Sequence, residues 1–134
     1  MICIEIIEMG KNSVTIQECY KMLGGNYDQV EKLLPSARLI HKFVVKFLDD
    51  GSYRQLCDAM EAGSRAEAFR GAHTLKGVCA NLAFSQLCAS SSRLTELLRP
   101  EAETIPGEAY LCMKEVTRDY EQTVSAIRTY LESV

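Results

Sequence analysis

His73, Lys76 and Gly77 are the residues of this chain whose types and spacing could do chemistry together. Imidazole, with an unperturbed pKa of about 6.5, offers a lone pair near neutral pH without the help of a partner base. At roughly 100° per residue on a helix, Ala66, Phe69, Arg70, Lys76, Gly77 and Ala80 fall within about 60° of His73. Ala68, Gly71, Leu75, Val78, Cys79 and Leu82 gather on the opposite side, which makes that side the buried one and points the histidine at solvent. Lys76 and Arg70, one turn to either side, carry charges that could steady the oxygens of a phosphoryl group. Gly77 and Ala80 are small enough to leave room beside the ring for a second protein. In a helix interior glycine costs roughly 1 kcal/mol relative to alanine, so helix stability does not account for Gly77.

The run His73-Thr74-Leu75-Lys76-Gly77, followed by Asn81-Leu82, resembles the signature of histidine-containing phosphotransfer (HPt) domains of multistep two-component phosphorelays. The resemblance implies an antiparallel four-helix bundle with the histidine exposed midway along one helix. It further implies phosphorylation at Nε2, with His73 as the phospho-acceptor, Lys76 as the phosphate-stabilising lysine and Gly77 as the clearance glycine. The phosphoryl group would come from a receiver-domain aspartate and pass to another receiver. The implied partners are response-regulator receiver domains, with a hybrid sensor histidine kinase a further candidate, and Mg²⁺ is expected on the receiver. No cofactor of the chain's own is expected, and the chain is read as a phosphocarrier, not an enzyme in its own right. The family often has another glycine six residues after Gly77, and here that place holds Ala83, a departure that bears on backbone packing at the bend.

Positioning such a histidine is work for helices, and the chain is punctuated accordingly. A Ser, Thr or Asn followed three residues later by Glu or Gln recurs as Thr15 with Glu18, Asn26 with Gln29, Ser52 with Gln55 and Ser64 with Glu67. Gly24, Gly25, Pro35, Gly51 and Gly63 fall between these starts as stops. The apolar spacing of Ile40, Phe43, Val44 and Phe47, and of Met113, Val116, Tyr120, Val124, Ile127 and Leu131, is helical. Helices are expected near 15–23, 27–33, 36–48, 53–62, 65–82, 86–99 and 108–132, with a loop around Pro100 and Pro106; only Ile2 to Ile7 alternates somewhat like a strand. The fold class is all-α: an antiparallel four-helix bundle over 36–132, with additional short N-terminal helices before 36 as an elaboration of one 134-residue domain.

Composition narrows the alternatives. A net charge of −3, with no run of Lys or Arg, lacks the electrostatic footprint of a nucleic-acid binder. The opening MICIEIIEMG is too short and too acidic for a signal peptide or a membrane span, so a cytoplasmic protein is expected. Six scattered cysteines without a C-x-x-C read as reduced and core-filling. No Glu-x-x-His, G-x-S-x-G, H-E-x-x-H or P-loop occurs, and no metal site is expected. A monomer is expected, since no large apolar stripe remains once the bundle is assembled. His41 lacks a comparable constellation and reads as structural, Ser90 to Ser92 as surface or close-packing residues, and Asp49-Asp50 as loop and cap. Phe69 is either an anchor for a docking partner or a cap on the groove against a neighbouring helix, with Arg70 and Ala80 beside it on the partner-binding face. The competing function is a degenerate module that keeps the bundle and docks a receiver or partner helix without carrying phosphate.

Overall fold

The computed structural model describes residues 13–133; the strand-like Ile2 to Ile7 and Cys3 lie outside them. The described residues form α1 (Ile16–Leu23), α2 (Tyr27–Leu33), α3 (Ala37–Lys46), a 3₁₀ turn (Phe47–Asp49), α4 (Ser52–Ala62), α5 (Arg65–Asn81), α6 (Ser85–Leu97) and α7 (Gly107–Ser133), with no strand among them. The expected all-α bundle with short N-terminal helices is what the chain adopts, and each helix end falls within about two residues of its expected place.

Several ends follow from the local chemistry read in the sequence. Thr15 and Glu18 form a reciprocal capping box, and the Asn26 side chain accepts from the Gln29 amide. Ser36, which the pairing rule passes over, caps α3 by accepting from the Leu39 amide at 3.2 Å. Two of the expected caps differ. At α4 the cap position is Gly51, and it is Asp50 that accepts from the Ser52 amide, at 3.1 Å, and from the Ser52 hydroxyl. Ser64 precedes α5 but its side chain makes no capping bond, and the carboxylate of Glu67, its expected reciprocal partner, pairs with Arg70 instead.

The first long rod of the bundle is α3, the 3₁₀ turn and α4 in succession, broken at Asp50-Gly51. It runs antiparallel to α7, as four contacts in steady order show: His41 with Tyr130, Phe47 with Tyr120, Tyr53 with Thr117, and Tyr110 with the Met60 carbonyl. α7, at 27 residues, is long enough to span both pieces of that rod. α5 packs against α4 and α6, α6 against α7, and α1 lies along α7.

Close approach is obtained with small residues. A Cβ at Gly71 would stand 2.9 Å from the Leu56 Cα, so α4 and α5 touch backbone to backbone there. On α6, Ser90, Ser91 and Thr95 are buried, and their hydroxyls donate to carbonyls of Leu87 or Ser91 within their own helix, which satisfies them without a partner across the core. Ser90 and Ser91 are therefore close-packing residues inside the bundle. Six aromatic rings form a continuous chain, Tyr27–Tyr20–Phe84–Phe47–Tyr120–Tyr53, that ties α1 and α2 to the α5–α6 bend, the 3₁₀ turn, α7 and α4. Tyr20 is buried and donates to the Leu82 carbonyl at 2.8 Å, so α1 is fastened to the bend at the end of α5 by both packing and a hydrogen bond.

Candidate functional site

The buried residues of α5 repeat at helical spacing along one side. Ala68, Gly71, Ala72, Leu75 and Cys79 are buried, whereas Ala66, Arg70, His73, Thr74, Gly77 and Ala80 are exposed. His73 sits at the midpoint of the helix, eight residues from either end. Its ring therefore stands on solvent, above a helix whose other side is held in the core by Leu75.

Two turns of α5 frame that ring differently. On the N-terminal side Phe69, half-buried and packed on the core, stacks against it with ring centroids 5.9 Å apart and planes 27° apart. On the C-terminal side a Cβ added at Gly77 would meet no atom within 4 Å. No packing demand among the described residues explains glycine at 77, in contrast with Gly71 on the same helix.

The two cations are not equivalent. Arg70 is ion-paired with Glu67 at 2.7 Å on the exposed surface, so its guanidinium already has a carboxylate partner. Lys76 is half-buried and belongs to none of the ion pairs among the described residues, which are Arg70–Glu67, Arg93–Glu115 and Arg99–Glu96. Its charge reaches Glu96, whose carboxyl is held below the ordinary range chiefly by its hydrogen bond from Arg99 and to a smaller degree by Lys76. Of the two, Lys76 is the better placed to meet an incoming anion, because the charge of Arg70 is already partly offset by the Glu67 carboxylate.

Beyond Gly77 lies a feature that helix periodicity did not bring out, a mostly apolar groove of about 610 Å³ whose lining combines Leu33, Leu34, Phe43, Phe47, Val78 and Leu82 with the polar Lys46, Asp49, Asp50 and Asn81. Val78, expected on the buried side, is only half-buried and forms part of this wall. The sequence signal was the pair Leu33-Leu34 before Pro35, too polar in context to read as core; Leu33 is 50% exposed.

The remaining candidates resolve simply. His41 Nδ1 lies 2.6 Å from the Tyr130 hydroxyl, with the rings edge to face, and so clips α3 to α7. Among the described cysteines Cys19 and Cys79 are fully buried, Cys57, Cys88 and Cys112 are half-buried, and all five are free thiols. Among the described residues no group of three or more His, Cys, Asp or Glu is gathered so as to hold a metal, and no helix is long and apolar enough to cross a membrane.

Residues 47–132, from the 3₁₀ turn to the end of α7, match the family model described as Hpt domain, and the chain belongs to that family. Members of the family are helical bundles that carry phosphoryl groups in two-component signalling and interact with response-regulator receivers. Neither curated proteins nor solved structures give a match to this chain.

Proposed function

We propose that this chain is a phosphorelay intermediate in which His73 takes a phosphoryl group from a receiver-domain aspartate and passes it to a second receiver. The observation that carries the reading is a single one: the imidazole stands exposed at the middle of α5, over open space at Gly77, while Leu75 anchors the opposite face. In the first step the imidazole lone pair attacks phosphorus, a nitrogen–phosphorus bond forms, and the phosphorus–oxygen bond of the aspartyl phosphate breaks with its electron pair left on the carboxylate. The second step is the same displacement run toward another receiver's aspartate. Lys76 steadies the phosphoryl oxygens during both, and Gly77 with Ala80 admits the partner's backbone. The receiver is expected to bring Mg²⁺ and the positioning that phosphoryl transfer requires, so this chain acts as carrier and not as catalyst. A monomer in the cytoplasm is part of the same reading.

Incubation with a panel of phosphorylated receivers tests it. Label that is labile in acid and stable in base should accumulate on the wild type and be absent from His73→Gln, a substitution expected to leave stability within about 0.5 kcal/mol because the side chain faces water. Binding to receivers without transfer to or from any of them would instead favour a module that docks and carries no phosphate.

A further inference from the structure

We propose that Phe69 is a positioning residue for His73: it forms a fixed wall on the N-terminal side of the imidazole, so that the phosphoryl group and its protein carrier are admitted from the Gly77 side. The proposal rests on the phosphocarrier reading above. Its basis is an asymmetry along α5. Four residues before His73 an aromatic ring lies nearly parallel to the imidazole at 5.9 Å, and four residues after it Gly77 presents no side chain beside Lys76.

Phe69 is suited to this because it is not itself free to move. It is half-buried and packs on the core cluster, whereas His73 is exposed and would otherwise sample its rotamers without restraint. Stacking against an anchored ring restricts the imidazole about both side-chain torsions, which holds its reactive nitrogen in one direction before a partner arrives. The contact also favours the phosphorylated state. When phosphorus is bonded to one ring nitrogen and the other keeps its proton, the imidazole carries positive charge, and the negative face of an aromatic ring attracts a cation. Arg70, ion-paired with Glu67, does not supply that restraint. This role differs from that of an anchor for a docking partner, which would leave chemistry at the imidazole untouched.

The test uses phosphoramidate, a small phosphodonor that needs no docking surface; the phosphorus–nitrogen bond to ammonia breaks as the new bond to imidazole forms. Phe69→Leu keeps an apolar side chain on the core, and Phe69→Tyr restores the ring. Phe69→Leu should label His73 from phosphoramidate about fivefold more slowly, the scale of one exposed cation–π contact, with Phe69→Tyr near the wild type. In the unphosphorylated protein, the imidazole C–H protons should show a ring-current shift that Phe69→Leu removes and Phe69→Tyr retains. Unchanged labelling from phosphoramidate, with or without slower transfer from receivers, would overturn the proposal, and so would the absence of any ring-current shift in the wild type. A wild type that takes no label from phosphoramidate or receivers would overturn the phosphocarrier reading and this role with it, even if the stack were present.

Discussion

Ala83 occupies a backbone position that alanine seldom takes. Its φ is +56°, and it is the only described residue other than glycine with a positive φ. The Phe84 amide donates to the Cys79 carbonyl at 2.9 Å and the Ala83 amide to the Ala80 carbonyl at 3.2 Å, the pattern of a Schellman helix end with Ala83 as its left-handed residue. Gly24 and Gly63 fill the same position after α1 and α4, at φ of 75° and 72°. Glycine announces the left-handed residue at those two ends; at the third the sequence placed the bend but not its left-handed backbone, since alanine is the strongest helix former. Left-handed backbone costs alanine about 1–2 kcal/mol, whereas glycine there would forfeit a buried methyl and some unfolded-state restraint of comparable total size. Ala83→Gly should therefore change stability by no more than about 0.5 kcal/mol, while Ala83→Val, β-branched and buried, should cost about 2 kcal/mol or more in chemical denaturation. A well-tolerated valine would show that the bend can be rebuilt. At the site itself, Lys76→Ala should leave stability nearly unchanged and slow phosphoryl transfer about tenfold, the scale of one charge-assisted hydrogen bond. Rates and phosphohistidine lifetimes equal to the wild type would remove Lys76 from the site.

At the scale of the element, α5 carries two glycines that helical period already places on opposite sides, and the structure shows what each of them meets. Gly71 faces α4, where a Cβ would come within 3.0 Å of the Leu56 backbone nitrogen; Gly77 faces open space. Gly71→Ala sets a helix-propensity gain of roughly 1 kcal/mol against overpacking of about 1–3 kcal/mol on a backbone that cannot step aside, and should destabilise. Gly77→Ala has no such opposition and should stabilise by roughly 0.5–1 kcal/mol. Thermal unfolding of the two variants should thus shift in opposite directions, and a shared direction would contradict the packing described for α4 and α5. Gly77→Leu should also keep the helix yet block receiver-dependent transfer; undiminished transfer would mean that clearance is not the reason for glycine. The facing of α5 could be read from the sequence because helical period alone decides which side Leu75 and His73 take. The groove beyond Gly77 could not, because it is made by Leu33, Leu34 and Phe43 from the preceding helices meeting Val78 and Leu82, contacts far apart in sequence.

At the scale of the whole molecule, the buried cysteines and tyrosines among the described residues share one sign. Burial pushes the Cys19 thiol up to about 11, and it raises the Cys79 thiol and the Tyr20 hydroxyl strongly as well. Each is therefore protonated in the folded state over a range where the unfolded chain has already lost its proton, at about 8.5 for thiols and about 10 for tyrosine. Stability from these groups is complete below the unfolded values and declines as pH rises toward the folded ones. Under reducing conditions the unfolding midpoint should begin to fall near pH 9 and fall faster above pH 10, and a midpoint unchanged to pH 11 would contradict the burial described here. The family match covers α4 to α7, yet Tyr20 and its ring contacts bind α1 into the same core. That integration was hidden from the sequence, where the short helices before residue 36 read as an elaboration, because a seven- or eight-residue helix shows little of what it will pack against. The proposed phosphocarrier role rests on one exposed imidazole, and residue-resolved mass spectrometry, performed at neutral to alkaline pH after exposure to a phosphorylated receiver, tests it most directly. The phosphoryl group should be found on His73 alone; its presence on His41 or on any carboxylate or hydroxyl, with His73 unmodified, would contradict the account.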